Sequence, residues 1–371
     1  MVKDLLKSLG NQYASVLSEC DDKPVFLDSG SYMFNALLSG SIYGGIPDNR
    51  VIALAGPEAT GKTYLAVGLA GKFLSLNPKA VVFYFESEHA VDEDMTAKRG
   101  LDNKRIAKIP IATVEEFRTQ CLRLLDNYLA IAAEDRGPLM IILDSLGMLS
   151  TNKEIDVATK GDDTRDMTRT QLIKAAFRII TLKAGRARVP MIVLNHTYEQ
   201  IGANTKPGMK SYEMSGGGGI KYAASTIVYL TKKKIWNDES KETDGNFIHC
   251  KNVKSRLTVP ERTVDVQLMY NGGIQPYYGL CDLAEPYNIW KRVANKFETE
   301  HGKFYEKQIY ADPDRFFTPE VLQKFDAAAQ QEYLYGNAKP GDELPITAEA
   351  LEVAEEEILA PSKKKSKKDK E

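Results

Sequence analysis

Eight consecutive residues, Gly56-Pro57-Glu58-Ala59-Thr60-Gly61-Lys62-Thr63, carry the clearest chemical signature of this 371-residue chain. They satisfy G-x-x-x-x-G-K-[ST] at every constrained position and follow the apolar run Val51 to Ala55, the strand–loop–helix setting in which that pattern has meaning. Glycines in such a loop let backbone N–H groups turn inward around phosphate oxygens, and the positive end of the following helix adds to the attraction. Lys62 would reach the β- and γ-phosphates, and the Thr63 hydroxyl would sit on Mg²⁺. The expected ligand is a nucleoside triphosphate with its magnesium ion.

Two further apolar runs end in carboxylates. Leu139 to Leu143 is followed by Asp144-Ser145. Nucleotide sits at the C-terminal edge of open α/β sheets, so Asp144 there can hold magnesium through water. Val81 to Phe85 leads into Glu86-Ser87-Glu88. A glutamate at that edge can orient and polarise an attacking water. Residues i and i+2 point to the same side of a strand, so spacing alone leaves Glu86 and Glu88 as equal candidates.

These groups need a scaffold, and the rest of the chain supplies its outline. Apolar content of 43% and charged content of 27% are ordinary for a globular protein, and a net charge of −2 makes no whole-molecule case for nucleic acid. Any such case must rest on local basic loops. Met1 to Gly10, broken by Lys3, Asp4 and Lys7, lacks the apolar stretch of a secretion signal, and no run is long enough to span a membrane. Cys20, Cys121, Cys250 and Cys281 form no C-x-x-C pair and read as reduced thiols of a cytoplasmic protein. His249-Cys250 is a poor metal pair, because neighbours on a strand face opposite ways.

From Val51 onward, apolar strands alternate with helical spacing over Val114 to Ile131 and Met167 to Leu182, with Met191 to Leu194 as a further buried strand. That order indicates an α/β fold, a mostly parallel sheet flanked by helices. Thr226 to Leu230, Asn246 to Val253 and Thr263 to Tyr270 then read as antiparallel strands extending it. The expected division is an N-terminal helix and linker (1–24), an ATPase core (25–280), a small C-terminal domain (281–340) and a disordered tail (341–371). The tail is acidic from Asp342 to Glu357 and basic from Lys363 to Lys368, a composition too polar to pack. The basic run either adds nonspecific DNA affinity or is simply solvated charge.

Taken together, the motifs make the chain resemble the RecA-type homologous recombinases, most closely the UvsX-type recombinases of tailed bacteriophages. The matching segments are Gly30-Ser31, Gly44-Gly45-Ile46-Pro47, Gly56 through Thr63, Glu86-Ser87-Glu88-His89-Ala90, Asp144-Ser145-Leu146-Gly147, Asn195-His196-Thr197-Tyr198-Glu199, Gly216-Gly217-Gly218, Lys254-Ser255-Arg256 and Met269-Tyr270. The resemblance implies a RecA-like P-loop ATPase core with a short N-terminal helix, near residues 3–19, that hooks a neighbouring subunit. It makes Glu88, rather than Glu86, the catalytic glutamate, and His196 the sensor of the γ-phosphate. Lys254 and Arg256 correspond to cations that reach a neighbour's γ-phosphate across a subunit interface. The implied nucleotide set is Gly56 through Tyr64, Met95, Asp144 and His196, with methionine at Met95 where cellular RecA stacks a tyrosine on adenine.

Two stretches, Ser150 to Asp166 and Thr197 to Gly219, lack convincing secondary structure, and loops this long inside a core are usually functional. The second carries Lys206, Lys210 and Gly216-Gly217-Gly218, then Lys221; glycine N–H groups can approach a phosphate closely. Arg165, Arg169 and Arg178 flank the first, and Arg178 matches a DNA-contacting arginine by the resemblance. With only Tyr198 and Tyr212 available for stacking in the second loop, DNA binding should be backbone-led and tolerant of sequence. The resemblance thus implies an ATP- and Mg²⁺-dependent protein that forms filaments on single-stranded DNA and pairs it with homologous double-stranded DNA. Single-strand-binding and mediator proteins are the implied partners, and the cytoplasm, that of a bacterial host for a phage protein, the implied location. A hexameric DNA motor on the same core, or a nucleotide-gated DNA-binding protein, are the alternatives.

Overall fold

The computed structural model describes residues 2–8, 16, 23–161, 168–199, 212–215, 218–237 and 241–336. Arg165, Lys206, Lys210, Gly216, Gly217, most of the 9–22 segment and the expected tail at 341–371 lie outside the described residues.

One large sheet organises the chain. From one edge its strands are Gly273–Ile274, Thr263–Met269, Thr243–Ser255, Thr226–Trp236, Val51–Gly56, Met191–Glu199, Leu139–Asp144, Val81–Glu86 and Ile106–Pro110. Pairing is parallel from Thr226–Trp236 to the far edge and antiparallel on the other side. A short strand, Tyr212–Met214, pairs antiparallel with the end of Met191–Glu199.

The central strands are apolar throughout because both their faces are covered. Ile52, Leu54, Met140, Ile142, Ile192 and Leu194 point into one core, which the helices Tyr32–Ser39 and Lys62–Leu76 close. Val51, Ala53, Ile141, Leu143, Met191 and Val193 point into the other, closed by Val114–Ala130 and Arg169–Ala187. Phe85, Phe117 and Phe177 meet ring to ring in that second core.

The region after residue 280 contributes to the first core. Trp290 packs on Phe317 and Phe325, and all three belong to the same buried cluster as Ile52 and Leu54. A small antiparallel sheet, Lys291–Val293, Lys296–Thr299 and Gly302–Tyr305, sits ahead of the helix Pro319–Tyr333. That helix is tied back to the N-terminal side: Asp326 Oδ1 accepts from the Ser41 hydroxyl at 2.6 Å and the Ile42 N–H at 2.9 Å.

Three expectations need correcting. Thr197 to Gly219 is not structureless among the described residues, since Thr197 to Glu199 continue a strand, Tyr212–Met214 pairs with it and a helix starts at Gly218. Ser150 to Asp166 is not structureless, since Asn152–Thr159 is a helix. Its start is a capping box: Thr151 Oγ1 accepts from the Glu154 N–H at 3.0 Å while Glu154 accepts from the Thr151 N–H at 2.9 Å. The strands expected to stop at Leu230 and begin at Asn246 instead form a longer ribbon, in which Thr231 to Lys234 are exposed. Backbone pairing carries that ribbon on after its apolar pattern has ended.

Asp326→Ala would leave the Ser41 hydroxyl and the Ile42 N–H, with the Gln330 amide, without their acceptor. The expected loss is about 1–3 kcal/mol of unfolding free energy, read as a lower urea midpoint at an unchanged denaturant slope.

Candidate functional site: a phosphate loop facing a held glutamate

The phosphate loop forms where Val51–Gly56 ends and Lys62–Leu76 begins. Its first and last glycines are required for different reasons. A Cβ on Gly56 would lie 2.5 Å from the Leu230 carbonyl, so the backbones could not approach. Gly61 caps the helix in the left-handed region, with φ of +93°, where side chains are strained. Lys62 is buried and donates to the carbonyls of Gly56 at 3.0 Å and Pro57 at 2.9 Å. The lysine is thus folded against the loop whose ligand it is suited to bind.

Asp144 stands opposite. Its Oδ2 accepts from the Thr63 hydroxyl and from the Tyr84 hydroxyl, each at 2.7 Å. Strand register accounts for this meeting, since Asp144 lies beside Glu86 and Tyr84 beside Ile142 on adjacent parallel strands.

The two glutamates that spacing left equal have separate fates. Glu86 is buried, takes the Val91 N–H at 3.0 Å and pairs with Lys108 at 2.9 Å, holding the turn that follows its strand. Glu88 lies beyond the strand's end and faces the phosphate loop. Its Oε1 accepts from the Ser145 hydroxyl at 2.5 Å and lies 2.9 Å from His196 Nε2. A carboxylate only accepts, so this nitrogen carries the proton. His196 in turn lies beside Gly56 in strand register. Phosphate loop, Glu88, Asp144 and His196 line one cleft of about 340 Å³, joined by Tyr64, Lys232, Asn246, Leu268 and Tyr270.

Burial and charge set these groups apart. Burial acts to raise the Glu88 pKa, but the bonds from His196 and Ser145, with the charges of His196 and Lys62, outweigh it and hold it below the ordinary carboxylate value. Asp144 goes the other way: burial pushes it up, and the Tyr84 and Thr63 hydroxyls and Lys62 only partly oppose that, while Glu88 adds to it. Burial lowers the Lys62 amine, against the pull of Glu88, Asp144 and Glu58. The outcome is an ionised carboxylate near one that resists ionising, the pattern expected where two acids have different tasks. The donor set suits a magnesium–triphosphate complex: a loop with glycine at its crowded first position and its left-handed last one, an amine, a hydroxyl and a buried carboxylate.

The family model of the RecA N-terminal domain matches residues 2–275. The chain belongs to the RecA family of recombinases. The recombination and repair protein of Enterobacteria phage T4 is 32% identical over 268 residues, covering 70% of this chain and 64% of that protein's length. Protein RecA of Streptomyces rimosus is 25% identical over 332 residues, or 87% of this chain and 84% of that one. Protein RecA of Mycoplasmopsis pulmonis is 26% identical over 298 residues, or 78% and 80%. RecA-family proteins in general bind ATP and Mg²⁺ and act on DNA.

Other RecA-type positions are distributed as follows. Lys254 Nζ donates to the carbonyls of Lys221 and, at 2.8 Å, Ala224, while Arg256 donates to the Tyr222 carbonyl at 3.1 Å. Both cations therefore cap the C-terminal end of the helix Gly218–Ala223, where carbonyls lack intrahelical partners. Lys221 pairs with Glu213 at 3.2 Å. Within the glycine run, Gly219 serves packing: a Cβ there would lie 2.9 Å from the Lys174 backbone nitrogen. Arg169 donates to the carbonyls of Leu149 at 2.8 Å and Gly147 at 2.7 Å, and so braces the segment after Asp144. Arg178 is exposed on the same helix, and Lys174, one turn before it, lies over the Tyr222 ring. Met95 packs against the first core and does not line the cleft.

Sequence reasoning missed Tyr84 and Ser145 as partners of the two carboxylates. For Tyr84 a signal existed, because a phenol in an otherwise apolar buried strand needs a partner for its hydroxyl.

Asp144→Asn keeps an acceptor for both hydroxyls and removes a charge that burial disfavours. Its thermal midpoint at pH 7 is expected to equal or exceed that of the original chain, while magnesium-dependent ATP binding is lost. A raised carboxyl is a penalty only while ionised, so the stability gain should shrink as pH falls through the raised pKa and vanish below the unfolded value. Thermal melts between pH 7 and 4, with calorimetric ATP titrations, check both halves.

Proposed function

We propose that this chain is a DNA-dependent ATPase that polymerises on single-stranded DNA and pairs it with a homologous duplex. The observation that carries the reading is Glu88, fixed by Ser145 and His196 across the cleft from Lys62, Thr63 and Asp144. A binding loop alone would not need a carboxylate held ionised at that place.

In this reading the loop N–H groups and Lys62 bind the phosphates, and Thr63 and Asp144 would hold magnesium. The ion, when bound, offsets negative charge on the β- and γ-phosphates. Glu88 orients a water and takes its proton as the water oxygen bonds to the γ-phosphorus and the bond to the β-phosphate oxygen breaks. His196 holds Glu88 in line. Its strand runs on to Tyr198 and Glu199, toward the segment that carries Lys206 and Lys210.

Lys254 and Arg256 supply the coupling between subunits. In the single chain they grip carbonyls of the helix that follows the glycine run. On meeting a neighbour's triphosphate they would exchange those carbonyls for phosphate oxygens, so filament contact, hydrolysis and the glycine-rich segment change together. A head-to-tail interface of this type produces an open helix, with the N-terminal helix near residues 3–19 as the hook on the next subunit. Arg178 and Lys221, with Arg165, Lys206, Lys210 and Gly216 to Gly218, would follow the phosphate backbone, while Arg169 acts by bracing. Base pairing itself supplies the sequence readout. Single-strand-binding and mediator proteins complete the proposed partners, and the cytoplasm, that of the bacterial host for a phage protein, is the proposed location. The division at residues 24, 280 and 340 remains our reading of the chain's organisation.

Electron microscopy with single-stranded DNA, magnesium and a non-hydrolysable ATP analogue tests this directly. Helical filaments are expected with the analogue and loss of them without nucleotide; closed rings would refute the reading in favour of a motor. Glu88→Gln should still bind ATP and DNA but hydrolyse at least about a hundredfold more slowly, leaving filaments that persist. DNA-stimulated turnover at the original rate would remove Glu88 from the mechanism.

A further inference from the structure

Lys254 and Arg256 flank Ser255, where the strand Thr243–Ser255 gives way to the turn leading to Thr263–Met269. A connecting turn is ordinarily the more mobile part of a hairpin, yet this one is bonded from within. Ser255 Oγ accepts from the N–H groups of Leu257 at 3.1 Å and Thr258 at 2.9 Å. Thr258 is fully buried, and its hydroxyl donates to the Leu37 carbonyl at 2.8 Å and accepts from Asn252 Nδ2 at 3.0 Å. Asn252 sits at the register shift itself, so the irregularity that aims the cations is tied both to the turn and to the helix Tyr32–Ser39.

A second set of contacts comes from much later in the chain. The helix Pro319–Tyr333 ends against this turn. The Tyr333 carbonyl accepts from the Val259 N–H at 2.8 Å, and the Tyr335 hydroxyl donates to the Ser255 carbonyl, between the two cations, at 3.3 Å. Glu332 Oε1 lies 3.3 Å from Arg262 Nε, while its Oε2 accepts from the Tyr287 hydroxyl at 2.7 Å. The Arg262 and Glu332 side chains are 29% and 20% exposed, so salt and water screen this pair less than one on the open surface. Leu334 covers Gly40, where a Cβ would lie 2.2 Å from its Cδ2, and thereby seats the helix end on the end of Tyr32–Ser39.

None of these residues lines the nucleotide cleft. They converge instead on the few residues that carry Lys254 and Arg256. A cation that must reach a neighbour's triphosphate engages it less well when its backbone can drift, because ordering it then opposes association. We propose that Arg262 and Glu332 are positioning residues for the two cations. Their ion pair locks the end of the helix Pro319–Tyr333 to the cation-bearing turn, so the region after residue 280 sets how well one subunit engages the next. The inference rests on the reading of Lys254 and Arg256 as cations offered to a neighbour, and deepens it. It gives the C-terminal region a task in subunit coupling besides its share of the first core.

A double-mutant cycle on the full chain tests it, with Arg262→Ala, Glu332→Ala, the two combined, and Lys254→Ala as reference. Two quantities are read: magnesium–ATP affinity by calorimetry without DNA, and ATP turnover on single-stranded DNA as protein concentration is varied. Each single variant is expected to need about fivefold more protein for half-maximal turnover, and the combined variant no more than either. ATP affinity should stay within about twofold throughout. Arg262→Lys, which keeps a cation for Glu332, should recover most of the loss. Should Glu332→Ala not fold, Glu332→Gln keeps an acceptor for the Tyr287 hydroxyl and carries the same expectation. Unchanged turnover profiles at Arg262 and Glu332, with Lys254→Ala impaired, would overturn this inference alone. Additive losses, or ATP affinity that falls in step with turnover, would reduce the pair to general support of the fold and overturn it as well. A Lys254→Ala profile equal to that of the original chain would remove the reading of the cations first, and this inference with it.

Discussion

Parallel register is the constraint on which the site depends. Gly56 lies beside His196, and Glu86 beside Asp144, because Val51–Gly56, Met191–Glu199, Leu139–Asp144 and Val81–Glu86 pair in parallel and end at one edge. A one-residue slip in any of them would turn its core-facing residues to the opposite face. Since both faces are buried by different helices, such a slip would disturb both cores at once. Packing of the interior therefore fixes the relative positions of the phosphate loop, the Asp144 carboxylate and the His196 ring. Glu88 hangs from this edge by a two-residue overhang, and its place is set by Ser145 and His196.

The electrostatic result follows from that geometry. Asp144 is at a strand end inside the sheet, so water is excluded and its charge is disfavoured. Glu88 is beyond the strand, partly open to the cleft, and surrounded by donors. The same kind of side chain is thus given two environments by a difference in burial. A carboxylate that resists ionising gains most from an arriving cation, whereas one held ionised is ready to accept a proton. Cores that position the site and burial that tunes it have one origin.

Much of this was legible in the chain, for physical reasons that can be named. Fully buried strands read as unbroken apolar runs, and the phosphate loop needs glycine where the backbone is crowded or left-handed, so both announce themselves locally. Choosing between Glu86 and Glu88 on residue spacing failed because the strand ends at Glu86, and the rule that i and i+2 share a side ends with it. The helix Asn152–Thr159 was overlooked although Thr151-Asn152-Lys153-Glu154 spells its capping box. Lys254 and Arg256 sit where the pairing shifts register between Asn252 and Lys254 and the strand stops at Ser255. Nothing in the neighbouring residues forecasts that irregularity. Asn246, in Thr243–Ser255, and Tyr270, just after Thr263–Met269, lie far along the chain from the phosphate loop, and no spacing rule links them to it.

That register shift deserves its place in the mechanism. Bulges re-aim side chains near functional edges, and here both cations end on carbonyls of one short helix rather than in their own chain's cleft. A cation on the carbonyl end of a helix is modestly stabilised, whereas one facing a triphosphate meets several negative charges. The first arrangement can therefore be given up when the second is offered by a neighbour, and hardly otherwise. Gly219 keeps that helix pressed against Lys174 and the long helix Arg169–Ala187, whose first residue braces the turn after Asp144. In the proposed filament, a change at the cations would meet direct contacts in two directions, back toward Asp144 and forward toward Gly219. The path is short because every step is a hydrogen bond or a packed backbone, with no long loop between them.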